Sequence, residues 1–260
     1  MTEYESLGKW YSIDVGTLVD YTAESVIELM RRTTPDTSIV REEGQVDLTP
    51  QPESKKAQPI VTSDPHEYWL RCIHRLPLGL DYNQIATILL SRYAQLKKTG
   101  PVEMVVDSTG VGKVLFDSLV ASGAKPVGIT LTTGNVDFLD PRSGTRHFSK
   151  ERMILDAVSL LGMGKFQYDE DMPLVDILIN ELRNYTATAS PSGKLTFGPI
   201  RSSQHDDVVI SVAMGLHRAY KHANRGGGRA IWPHGYTPKI NHRWDGLHSF
   251  ASPETRLGYR

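Results

Sequence analysis

The chain has 260 residues, 39% of them hydrophobic and 23% charged, with one cysteine and a formal net charge of −1. That length can bury a full core as a single α/β domain, and no stretch approaches the run of about 18 apolar residues that a membrane span needs. The single Cys72 excludes an intramolecular disulfide and a multi-cysteine zinc site, and the acidic opening Met1-Thr2-Glu3-Tyr4-Glu5 lacks the apolar stretch of a secretion signal, so a reducing cytoplasm is expected.

Lys9 to Asp14 reads as a strand that ends in a carboxylate; a turn over Val15 to Asp20 leads to a second strand, Tyr21 to Met30, rich in β-branched residues. Arg31 to Pro65 changes character, with five prolines among many charges, and reads as an insertion in which Ile39-Val40 and Ile60-Val61 could add short pairing segments. Glu67 to Leu76 is expected as a third strand, with Cys72 packed in its apolar pattern. The middle then alternates. Asp81 to Lys98 has helical apolar spacing with Asp81 as N-cap; Val102 to Val106 is a buried strand ending at Asp107; Lys113 to Ser122 is a helix closed by Gly123. A strand over Pro126 to Leu131, a helix from Ser149 to Leu161 closed by Gly162, and a helix from Pro173 to Tyr185 follow. Thr186 to Pro199 reads as a small hairpin around Ser190-Pro191-Ser192-Gly193, and Asp206 to His222 as a last long helix. The pattern stops there. The organisation expected is one domain over residues 1–222 and a basic Gly/aromatic tail over 223–260, with seven lysines and arginines against two acids from Lys221 onward. Three strands followed by alternating helices and strands predict a mixed sheet flanked by helices.

Asp14, Asp107 and the pair Asp206-Asp207 stand where carboxylates from two strand ends and a helix start can converge. An all-oxygen cluster of that kind suits magnesium or manganese, and paired ions so held catalyse in-line phosphodiester cleavage. The helical wheel sets Asp206 with Val209, Ala213 and Leu216 on the face toward the sheet, and Asp207 with Ser211 and Arg218 on a wetter face. Both remain candidates. His205 reads as a surface residue. Asp107-Ser108-Thr109-Gly110-Val111-Gly112-Lys113 resembles a phosphate-binding loop only superficially, because Asp107 stands at its first glycine and Val114 replaces the hydroxyl residue. The near-neutral charge is not that of a protein gripping DNA unaided. Lys150 and Lys113, with Arg225 and Arg229 of the tail, are the candidate phosphate contacts.

Val105-Val106-Asp107-Ser108-Thr109-Gly110-Val111-Gly112, Phe148-Ser149-Lys150-Glu151-Arg152, Leu195-Thr196-Phe197-Gly198 and His205-Asp206-Asp207-Val208-Val209 resemble, in order and spacing, the C-terminal nuclease domain of tailed-phage large terminase subunits. Ile13-Asp14-Val15-Gly16 and Arg75-Leu76-Pro77-Leu78-Gly79 fit the same pattern, although Val15 stands where proline is common. The resemblance implies a ribonuclease H-like fold and a two-ion, Mg2+- or Mn2+-dependent endonuclease acting on double-stranded DNA. Asp14 and Asp107 would be ligands, with Asp206 or Asp207 completing the set. The implied partners are DNA, a packaging ATPase, the small terminase subunit and the portal, with no membrane, in the cytoplasm of a phage-infected or prophage-carrying bacterium. The family's ATPase domain has no counterpart in these residues, so an excised nuclease domain or a free-standing relative is expected. A resolvase-like nuclease on branched DNA, or a non-catalytic DNA-binding or assembly module, are the alternatives.

Overall fold

The computed structural model describes residues 3–17, 19–33, 64–133, 137–142, 145–183, 185–189, 195–199 and 205–224. Most of the expected insertion and all of the expected tail beyond residue 224 lie outside them, as do Ile39, Val40, Ile60 and Val61. Three long strands open the chain: β1 (Tyr4–Asp14), β2 (Ala23–Arg32) and β3 (His66–Arg75), paired antiparallel. Helix α1 (Tyr82–Lys98) follows. Its start is set by a capping box, in which the Asp81 carboxylate accepts the N–H groups of Asn83 and Gln84 and the Gln84 side chain accepts that of Asp81.

Next come β4 (Val102–Asp107), α2 (Gly112–Ala121) and β5 (Val127–Thr132). The short β6 (Phe138–Leu139) and β7 (Arg146–Ser149) follow, and β7 runs directly into α3 (Lys150–Gly162). The Ser149 hydroxyl caps that helix by accepting the Arg152 N–H at 3.1 Å. Gly162 is the last residue of the helix, not its stop signal; Met163 caps the end, and Gly164 takes the positive φ of 64° that the turn requires. After β8 (Phe166–Gln167), helix α4 spans Val175–Arg183, shorter than the sequence pattern suggests, because Tyr185 opens β9 (Tyr185–Ala189). β9 and β10 (Leu195–Pro199) form the expected hairpin as a separate two-stranded sheet, and α5 (Asp207–Ala223) closes the described chain.

The main sheet has the order β6-β7-β5-β4-β1-β2-β3-β8. β1, β4, β5 and β7 run parallel, so their C-terminal ends share one edge. Side-chain alternation splits the core in two. Tyr11, Ile13 and Val106 pack under α1 and α2, whereas Trp10, Ala23, Ile27 and Val105 pack beneath α3, α4 and α5. Helix α5 is the central brace. Gly215 lets it lie close on the sheet, because a Cβ there would stand 2.5 Å from Ser12 Oγ and 2.9 Å from Ile27 Cγ1. Further along, the fully buried His217 ring bonds through Nδ1 to Asp156 at 2.7 Å and through Nε2 to Asp137 at 2.9 Å, tying α5 to α3.

Candidate active site

Ile13 of β1 and Val106 of β4 are register partners in a parallel pair, so Asp14 and Asp107 follow one step later on neighbouring strand ends. Alternation then decides their direction. Trp10 and Val105 face α5, and two residues on from Ser12 and Val105 the two aspartates share that face. Crevices outside the carboxyl ends of parallel strands are the habitual ligand sites of open α/β sheets. Glycines shape the loops behind both acids: a Cβ at Gly16 would lie 2.3 Å from the Asp20 and Tyr21 carbonyl oxygens, and one at Gly112 would lie 2.0 Å from the Asp107 carbonyl oxygen. The loop after β4 is strapped to β5 by Ser108 N–H to Ile129 O at 2.7 Å and by Leu131 N–H to Thr109 Oγ1 at 3.0 Å. The Thr109 N–H, which a phosphate-binding loop would offer to its ligand, donates instead to the Asp107 carboxylate at 2.8 Å.

The N-terminus of α5 supplies Asp206 and Asp207 to the same edge. The Lys150 ammonium and the Tyr185 hydroxyl both donate to Asp206 Oδ2, at 2.9 and 3.0 Å. Asp207 is held differently. Arg75, at the end of β3, grips it with Nε on Oδ2 at 2.7 Å and Nη2 on Oδ1 at 2.8 Å. The same Nη2 reaches Glu181 of α4 at 2.7 Å, and the other oxygen of Glu181 accepts the Val209 N–H at 2.9 Å. Strand register explains the reach of Arg75: Asp14 pairs with Ala23, and Ala23 with Arg75, so all three stand in one row on one face. The guanidinium lies 5.0 Å from the Tyr21 ring, against which the exposed His205 packs edge-on.

The charges do not balance, and the acids register it. Burial pushes the Asp14 carboxyl well above its ordinary range, and repulsion from Asp107, Asp206 and Asp207 pushes it further, with Lys150 opposing. Burial also raises Asp107, against the Thr109 hydrogen bonds and the Lys150 charge. Glu181 is pushed up to about 7, chiefly by burial. At Asp14 the charges of the other three predicted aspartates and of Lys150 are all felt.

The helical-wheel distinction between Asp206 and Asp207 is overturned. Every residue of α5 from Asp207 to Ala219 is buried, including Ser211 and Arg218, because the helix is enclosed by β1, β2, β3, α3 and α4. It has no wet face, and Asp207 is more deeply set than Asp206, whose side chain is 27% exposed. Lys113 lies on the exposed first turn of α2, where its ammonium pairs with Asp117 one turn along. Arg225 and Arg229 lie outside the described residues. Arg75, Glu181 and Tyr185 join the site without having been singled out from sequence. For Arg75 a signal existed in Arg75-Leu76-Pro77-Leu78-Gly79; for the other two no local pattern marks them.

The donor set is all oxygen, which suits a hard divalent cation, and the repulsion at Asp14 is of the kind such a cation relieves. Among the described residues no three acids or histidines converge into a ready-made ligand set; Asp206 and Asp207 are engaged by Lys150 and Arg75. On chemistry Asp14 and Asp107 fit the role of ligands, with an α5 aspartate completing the set.

The large terminase nuclease of the thermophilic phage G20c, in a crystal structure with bound cobalt, matches with a TM-score of 0.51 over 81% of this chain and 80% of that one, at 18% identity. A second structure of the G20c nuclease matches at 0.51 over 81% of each chain, at 19% identity. The chain has the fold of a large terminase nuclease. This is the ribonuclease H-like arrangement expected from the sequence, with helices on both faces of a mixed sheet. No protein-family model matches the sequence, and no curated protein is significantly similar to it. Among the described residues no helix of this terminase-nuclease fold is long and apolar enough to cross a membrane.

Proposed function

We propose that this chain is a divalent-metal-dependent endonuclease that hydrolyses phosphodiester bonds of double-stranded DNA during viral genome packaging. The observation that carries the reading is the register of β1 with β4, which brings Asp14 and Asp107 to adjacent strand ends facing the N-terminus of α5. The fold shared with the G20c nuclease, crystallised with cobalt, supports it. Asp14, Asp107 and Asp206 or Asp207 would hold two Mg2+ or Mn2+ ions. Bound there, such ions supply the charge that acidifies an attacking water and offsets charge on the departing 3′ oxygen.

The chain's own groups have separable tasks. Tyr185 fixes the orientation of Asp206 by donating to one oxygen, the one that Lys150 also contacts. Lys150 stands at the N-terminus of α3, where the helix dipole adds to its ammonium, so an entering phosphate can draw it from Asp206. Arg75, itself bonded to Glu181, holds Asp207 from behind. With a net charge of −1, the chain would rely on packaging partners (an ATPase, a small terminase subunit and a portal) to keep DNA close in the host cytoplasm.

Incubating the purified chain with linear duplex DNA in Mg2+, in Mn2+ and in excess chelator tests the reading. Cleavage in either metal, none in chelator, and none by Asp107→Asn are the expected results. Cleavage of a four-way junction with the linear duplex left intact would favour a branched-DNA nuclease instead. Full cleavage in chelator would reject the metal requirement.

A further inference from the structure

In the half of α5 remote from the strand-end acids, the fully buried His217 carries a carboxylate on each ring nitrogen. Asp156 of α3 lies 2.7 Å from Nδ1, and Asp137, just before β6, lies 2.9 Å from Nε2. An ionised carboxylate only accepts, and a neutral imidazole has a single N–H to give. Two bonds therefore need two N–H groups. Imidazole is a much stronger base than a carboxylate, so the extra proton belongs to the ring. Burial pulls the His217 pKa down, and the bonds to both acids raise it overall.

The remaining charges around the ring are paired or peripheral. Lys221, one turn further along α5, stands 2.9 Å from the Asp137 oxygen that His217 contacts, and Arg218 grips Glu103 of β4 with two prongs. β7 contributes the Phe148 ring, edge-on to the imidazole at 4.6 Å, and Arg146, which lines one cleft with Asp137 and Lys221. On β3, burial raises the Tyr68 hydroxyl and the Asp156 charge adds to it.

Both acids bear on the start of α3. The other oxygen of Asp137 accepts the Ser149 N–H at 3.0 Å, and Ser149 is the residue whose hydroxyl caps α3. Asp156 lies within the same helix, and Lys150 is its first residue. Loss of the ring proton would leave a nitrogen lone pair facing a carboxylate in a buried site, where repulsion is strong. Whichever nitrogen is stripped, the acid that must draw back holds α3 or belongs to it.

We propose that His217 and Asp137 are positioning residues, forming a buried proton-dependent latch that fixes the start of α3, and with it Lys150, against α5. The consequence for cleavage rests on the nuclease reading above. The latch itself does not.

NMR of the full, 15N-labelled chain, free of metal and DNA, tests the latch. Below the unfolded imidazole value of about 6.5, both ring nitrogens of His217 should carry protons. As pH rises and one is lost, the hydrogen-exchange protection of the Ser149 and Arg152 amides, corrected for intrinsic exchange, should fall about tenfold with the same midpoint, the scale of one charged hydrogen bond. In Asp137→Asn the amide oxygen still accepts from Ser149 while its NH2 donates to Nε2, so a neutral ring satisfies every bond and the step should vanish. Asp156→Asn makes the same exchange on the other side and decides the matter if Asp137→Asn fails to fold. A ring that is neutral below its unfolded value, a protection step that does not follow the ring, or a step that persists in a folded variant would overturn the latch. Duplex cleavage in Mg2+ across the same pH range separates the two readings. The ratio of parent to Asp137→Asn rates should fall through the ring's midpoint. A flat ratio beside a titrating latch would refute the role in cleavage, whereas a parent that cleaves nothing at any pH would sink the nuclease reading and leave the latch standing on the NMR result.

Discussion

Glu24 and Asp14 are near neighbours across one ladder, since Ile13 pairs with Glu24 and Asp14 with Ala23, yet they face opposite sides of the sheet and live in opposite electrostatic worlds. Glu24 is 1% exposed and accepts hydrogen bonds from the Tyr11 hydroxyl and the Arg92 guanidinium. Asp14 is raised by burial and by the charges of three further aspartates, which Lys150 opposes. A buried acid that is given a cation locks the fold; an acid surrounded by acids raises the energy of the folded chain unless a proton or metal ion relieves it. Strand position is the same in both cases. Counter-charge decides the role.

The largest expected effect separates chemistry from stability. Asp107→Asn, like Asp14→Asn, should lower duplex cleavage by orders of magnitude, while thermal melts in chelator show a stability equal to or above that of the parent. A variant that cleaved DNA as the parent does would break the assignment. Glu24→Ala should behave oppositely: leaving Arg92 without its buried partner should cost about 3–5 kcal/mol in urea denaturation, and the loss should be the same with or without Mn2+. A metal-sensitive loss would mean that the two acids are not independent.

A smaller effect probes the brace that joins the two regions. Gly215→Ala places a methyl against Ser12 and Ile27, on the strands that carry Asp14 and Ala23, and overpacking of this kind costs about 1–3 kcal/mol. Because α5 must then lift from β1, the Mn2+-induced rise in melting temperature should shrink as well. An unchanged metal response with lowered stability would place the strain away from the site.

The smallest effect is a pH dependence. Burial pulls His217 down, but its hydrogen bonds to Asp137 and Asp156 outweigh that and raise it overall; Asp137, which Lys221 also contacts at 2.9 Å, is held far below the ordinary carboxylate range despite its own burial. With the folded value above the unfolded one, the imidazolium's contribution is fully present below the unfolded value of about 6.5 and is lost as pH rises through the folded value. Melting temperature should therefore fall through and above neutral pH, and His217→Gln should flatten that slope. An equal slope in both proteins would assign the pH dependence elsewhere.

Much of this arrangement was readable from the chain alone because long, periodic segments carry their own signal. The extended runs of β1 to β3, the capping box of α1 and the carboxylates closing β1 and β4 are local patterns, and each stands where the pattern indicates. The strands β6, β7 and β8 were not legible. At two to four residues they are too short for alternation to show, and they exist as strands only through their partners. Glu181 and the partners of Arg75 were opaque for a related reason: the Arg75 contacts span 132 residues to Asp207 and 106 to Glu181, separations at which no sequence window pairs them. The wheel misread α5 because it presumes one wet face, and this helix has none.

On the proposed function, the acids at the strand ends are held together without a bonded cation so that a divalent ion can enter. Paired thermal melts of the parent and Asp107→Asn, with and without Mn2+, test it most directly. The parent should gain stability from the metal by mass action, about 2.7 kcal/mol at a hundred times the dissociation constant. Asp107→Asn should gain little while equalling or exceeding the parent in chelator. An equal Mn2+ gain in both proteins, or a parent that Mn2+ leaves unmoved, would contradict the account.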